Sequence, residues 1–137
     1  MGWRKSKKVP DSEGFYAVQW SPDGHFLAAV SEDSQALGLY DISRQSWSTI
    51  ARGNMISTPH WSADAKYVYF QDILESGEPI YRFRPQTASV ERMHSFEDQL
   101  KGEFLRCGLI GLKRDGSMVV QLAKGGGNVY RIELDLN

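Results

Sequence analysis

The residues of this chain that could carry chemistry are few and scattered. His25, His60 and His94 stand more than 30 positions from one another. No G-x-S-x-G elbow, H-E-x-x-H pair, C-x-x-C pair or phosphate-binding G-x-x-x-x-G-K-[ST] loop is present. Gly125, Gly126 and Gly127 lie between two strand-like runs rather than ahead of a helix, so they read as a hairpin tip and not a phosphate cradle. Asp72 and Glu75 are near enough to share a cation, but their loop lacks the Asp/Asn ladder of a calcium site. Cys107 sits in an apolar run with no activating neighbour and reads as a buried, inert thiol. The expectation is therefore no catalytic centre, no metal, no cofactor and no enzymatic activity.

The aspartates carry a different signal. Asp23 stands in "WSPDG", residues 20–24, and Asp64 in "WSADA", residues 61–65. Trp20 and Trp61, Ser21 and Ser62, Asp23 and Asp64, and Tyr40 and Tyr81 are all 41 apart. An aspartate that recurs with its whole turn is structural. Ser21 is placed to accept a backbone hydrogen bond two residues on, Pro22 pre-sets φ, and Gly24 takes the left-handed conformation that closes the hairpin. Ala65 stands where Gly24 does, so the second turn either differs in shape or tolerates strain. Trp20 and Trp61 are expected to fill the gap between neighbouring sheets.

These turns join short runs of strand character. "FYAVQW" (15–20), "HFLAAV" (25–30), "QALGLY" (35–40) and "SWSTIA" (46–51) form the first set. "MISTPHW" (55–61), "YVYFQD" (67–72), "PIYRFR" (79–84) and "ASVERM" (88–93) form the second. A third copy is incomplete: "FLRCGLIGL" (104–112), "MVVQLA" (118–123) and "NVYRIEL" (128–134), with Tyr130 in the role of Tyr40 and Tyr81. Between the second and third sets, Ser95 and Asp98 have the spacing of a capping box. One helical turn and a polar loop both fit that stretch. Four short strands at a period near 40 residues describe an all-β chain of antiparallel four-stranded propeller blades. The units are blade one at about 15–51, blade two at about 55–94 and an incomplete blade three at about 104–136, or about two and three-quarter blades.

Composition agrees with one domain. The chain has 137 residues, 41% hydrophobic and 24% charged, with a formal net charge of −1. That balance argues against a dedicated nucleic-acid surface. A single cysteine excludes an internal disulfide framework and leaves the compartment open. No apolar run approaches the roughly 18 residues that span a bilayer. The basic start "MGWRKSKKVP" is followed by no apolar stretch, so it reads as a solvated end rather than a secretory signal.

"QWSPDGHFLAAVSEDSQALGLYDI" and "HWSADAKYVYFQDILESGEPIYRF" resemble the repeats of TolB-like, WD-repeat-like bacterial β-propellers. The last residues, 111–137, also resemble the end of the propeller that follows a winged-helix domain in some bacterial regulators. The winged-helix segment itself is absent, so no DNA-binding role comes with the resemblance. Closed propellers use roughly four to eight blades. The expected arc therefore needs completion: by a second copy, by "WRKSKKVP" acting as an added outer strand, or by the blades of a longer chain. The resemblance implies a non-enzymatic module that binds a protein or small ligand at a central mouth. Gln19, Ser57 and His60 on the inner strands are the candidate lining residues. The alternatives are a propeller portion of a hydrolase or peptidase system, and a degenerate fragment without activity of its own.

Overall fold

The computed structural model describes residues 7–102, 104–124 and 129–134, the last of these by their backbone course alone. Among the described residues, eleven strands and one short helix follow in order. Blade one is β1 (Phe15–Trp20), β2 (Phe26–Ser31), β3 (Ala36–Asp41) and β4 (Ser46–Arg52). Blade two is β5 (His60–Trp61), β6 (Val68–Gln71), β7 (Ile80–Arg84) and β8 (Ser89–His94). Helix α1 (Glu97–Lys101) then leads to β9 (Phe104–Leu112), β10 (Met118–Lys124) and β11 (Val129–Leu134) of blade three. Each sheet is an antiparallel meander, ordered β1-β2-β3-β4, β5-β6-β7-β8 and β9-β10-β11.

The repeated turn is built as a small hydrogen-bonded frame. The Ser21 hydroxyl donates to Asp23 at 2.6 Å and accepts from the Phe26 N–H at 2.9 Å. The Asp23 carboxylate accepts from the His25 N–H at 3.1 Å. The aspartate, not the serine, therefore closes the bond two residues on, while the serine spans the turn. Ser62 and Asp64 repeat the frame, and so do Ser31 and Asp33 between β2 and β3. Gly24 has φ 75° and Ala65 has φ 60°. The second turn thus keeps the shape of the first and carries the strain of a left-handed alanine.

Two cores hold the three blades together. Ala28, Val30, Leu37 and Leu39 of blade one meet Val68, Phe70 and Phe83 of blade two. Tyr69 and Ile80 of blade two meet Cys107, Leu109, Met118, Val120 and Leu122 of blade three, with Phe96 between. Strand β6 is buried throughout. Its alternating side chains serve both cores, Val68 and Phe70 one and Tyr69 the other, as the two-residue period of a strand requires.

Several expectations are corrected by this geometry. The run 55–61 is a strand only at His60–Trp61, with an isolated bridge from Ile56 to Asp72. Pro59 has no N–H to give to a ladder, and the Ser57 hydroxyl accepts the Gln71 N–H at 3.1 Å instead. Ser95 does not cap α1: Phe96 holds that position, with no side-chain cap. The register also moves. Leu27 pairs with Tyr40, but its counterpart Val68 pairs with Phe83, so Phe83 rather than Tyr81 occupies the place of Tyr40. The longer loop between β6 and β7 causes this shift. In blade three the turn is one residue shorter, closing from Lys113 to Ser117 where the first closes from Ser21 to Phe26. Met118 thereby takes the place of Leu27 and pairs with Leu134, while Tyr130 pairs with Leu122. Tyr130 is therefore not in the Tyr40 register. The suggested strand role of "WRKSKKVP" falls partly on residues outside those described. Its described part, 7–10, belongs to no strand, and the Pro10 carbonyl accepts the Trp47 indole N–H at 2.9 Å. The glycine run 125–127 also lies outside the described residues.

Candidate functional site

Of the expected lining residues, Gln19 lies on β1 and His60 on β5, the first strands of blades one and two, and Ser57 lies ahead of β5. Gln19 is exposed on β1, and its carbonyl accepts the Trp61 indole N–H at 3.0 Å. His60 is half-buried on β5, opposite Tyr69. Burial alone holds the His60 imidazole below its ordinary pKa, so its neutral form is favoured. Ser57 lies ahead of β5 and is spent on Gln71, both through its hydroxyl and through its N–H, which donates to the Gln71 carbonyl at 2.9 Å.

The tryptophan expectation holds for one ring and fails for the other. Trp61 joins the first core and stacks on Phe26 with centroids 6.3 Å apart. Trp20 is 64% exposed, because no preceding sheet covers it among the described residues. On the same face Phe15 stacks on Trp47 at 4.3 Å over Gly38, where an added Cβ would lie 2.7 Å from the Phe15 ring.

The polar groups with the most developed surroundings were not legible as a set in the sequence, and they serve the blade seams. Gln71 is 1% exposed. Its amide donates to the carbonyls of Glu78 at 2.8 Å and Cys107 at 2.7 Å, and its oxygen accepts the Leu109 N–H at 3.1 Å. Glu78 accepts the Cys107 N–H at 2.8 Å and pairs with Arg106 at 2.7 Å. Blade two thus reaches across to β9 and supplies, from side chains, the partners a neighbouring strand would give. Asp72 accepts the N–H groups of Asn54, Met55 and Leu74 at 2.8–3.2 Å, which fixes the passage from blade one to blade two. Glu75 accepts the Tyr81 hydroxyl at 2.6 Å. Burial, then this carboxylate, push the Tyr81 hydroxyl up to about 12. The suggested cation pair, Asp72 and Glu75, is therefore engaged internally. No group of three His, Cys, Asp or Glu suited to a metal occurs among the described residues.

Cys107 is buried, and burial followed by the Glu78 charge pushes its thiol up to about 11. That is the opposite of an activated nucleophile. A cleft of about 220 Å³ opens between blades one and two, lined by Arg52, Ile56, Asp72, Glu75, Tyr81 and Val90. Its carboxylates already hold the bonds described above.

No protein-family model matches the chain, and no curated protein is similar to it. Solved structures are. TolB from Acinetobacter baumannii is 24% identical, with a TM-score of 0.62 over 85% of this chain and 29% of its own. The tricorn protease is 13% identical, with a TM-score of 0.61 over 79% of this chain and 11% of its own. A TolB candidate from Agrobacterium tumefaciens is 20% identical, with a TM-score of 0.52 over 92% of this chain and 52% of its own. These likenesses show the fold: an arc of TolB-like β-propeller blades. The chain spans well under two thirds of each of them. The likeness of its last residues to winged-helix regulators gains no support.

Proposed function

We propose that the chain is a non-enzymatic β-propeller module, a sensor or scaffold piece whose inner-strand mouth binds a protein segment. Its working units are 15–51, 55–94 and 104–136. The observation that carries the reading is how the polar side chains are used. The aspartates of the turns bind their own serines and backbone, and Gln71, Asp72 and Glu78 hold the seams. The inner strands leave Gln19 exposed and His60 half-exposed, which supports recognition there. Loops and strand ends around a rigid scaffold are where binding residues concentrate.

The test is selection of peptides from a random displayed library against the folded chain. Binders are then measured against Gln19→Ala and His60→Ala. Loss of at least tenfold in affinity, with the circular dichroism unchanged, supports the mouth as the site. Binders indifferent to both substitutions would place recognition elsewhere. A second reading, a propeller portion of a peptidase system, rests on the likeness to the tricorn protease alone.

A further inference from the structure

The two ends of the arc carry matching features. Of the eight exposed large hydrophobic residues described, Tyr16, Val18, Trp20, Leu105 and Ile110 lie on β1 and β9, the first and last inner strands. None lies on β5, the inner strand between them. Val18 sits at the β1 bulge, and Leu105 and Ile110 at the two bulges of β9. Bulges re-aim side chains out of the ladder. Within the chain, successive inner strands touch: β1 meets β5, and β5 meets β9.

The seam between blades one and two shows how such an end is covered. Trp61 lies over Phe26 and donates to the Gln19 carbonyl. Trp20 is the counterpart of Trp61, since Trp20 pairs with Leu27 and Trp61 with Val68, both positions 41 residues on. The counterpart of Gln19 on β9 is Gly111, one before Leu112, which pairs with Met118. An added Cβ on Gly111 or Gly108 would meet nothing within 4 Å, so that stretch of β9 is open.

We infer that blade one of one molecule seats on blade three of a second copy, with Trp20 against the Gly111 stretch and β1 alongside β9. This rests on the reading of the chain as a propeller module and names its partner. The donor face and the acceptor face are on the same chain, so the contact is head-to-tail. Two copies then make both contacts at once and give six blades, within the range of closed rings.

The experiment is solution mass by light scattering for the wild type, Trp20→Arg, Ile110→Arg and an equimolar mixture of the two variants. The expected masses are twice 15.5 kDa for the wild type and 15.5 kDa for each variant alone. The mixture should regain the dimer mass in part, because one of its two contacts then holds both native faces. Trp20 and Ile110 are exposed, so far-UV circular dichroism should stay β-type in both variants. A wild-type monomer with that spectrum overturns the inference and leaves the propeller module standing. So does a dimer indifferent to either arginine. Loss of the β spectrum in the wild type would sink the module reading itself.

Discussion

Ala65 holds a φ of 60° in a turn whose first copy uses glycine. A left-handed alanine costs about 1–2 kcal/mol, and glycine returns part of the gain through a freer unfolded chain. Ala65→Gly should therefore stabilise the chain by about 0.5–1 kcal/mol. A higher urea midpoint with an unchanged slope is the expected result, and a lower midpoint would refute the account of the turn. The histidines set a pH dependence. Burial lowers the pKa of both His60 and His94, and the His94 Nε2 is buried without a hydrogen-bond partner. The unfolded chain thus binds protons more readily than the folded one. Stability is full above the ordinary histidine pKa of 6.5 and falls as pH drops below it. Urea midpoints at pH 7.5 and 5.5 should differ in the wild type and converge in a His60→Gln, His94→Gln double variant.

At the scale of elements, the seams depend on single buried polar groups. Gln71→Leu keeps the bulk but strands the Cys107 carbonyl and the Leu109 N–H. That change should cost about 2–4 kcal/mol. Gln121→Ala, at an exposed position on β10, should change stability by no more than about 0.5 kcal/mol. Equal effects at the two sites would show that the Gln71 bridge contributes little. This bridge also marks where the sequence stops being readable. Strands β1–β4 and β9–β11 are visible in the chain because turn residues bound each run. Strand β5 is not, because Pro59 interrupts a run that otherwise looks extended. The shortened turn before β10 inverts which face points inward, and a one-residue change of that kind is invisible without the pairing partner. Gln71 looks like the polar end of an apolar run. Its partners lie 36 and 38 positions away on another sheet, and no local pattern announces them. Gln19 and His60 were legible as inner-strand residues, whereas the commitment of Ser57 to Gln71 was not.

At the scale of the molecule, blade two differs from its neighbours because, among the described residues, it alone contributes to both cores. Chains of stacked repeats behave as rows of units coupled to their nearest neighbours, so a unit with two neighbours is lost last. Opening from either end exposes one core, whereas opening β6 exposes both. Amides of β6 and β7 should therefore exchange through global unfolding, and those of β1 and β9 through smaller openings. Native-state hydrogen exchange in low urea reads this directly. The β6 and β7 amides should show the steep urea dependence of the whole chain, and the terminal inner strands a shallow one. If two copies join through β1 and β9, those strands alone should gain protection as concentration rises, since association stabilises by mass action what it covers. Uniform exchange across the three sheets at every concentration would mean that the arc unfolds as one unit and that its ends are not frayed. The seams between blades would then transmit stability as well as a closed ring does, and the exposed Trp20 face would need an explanation other than a missing neighbour.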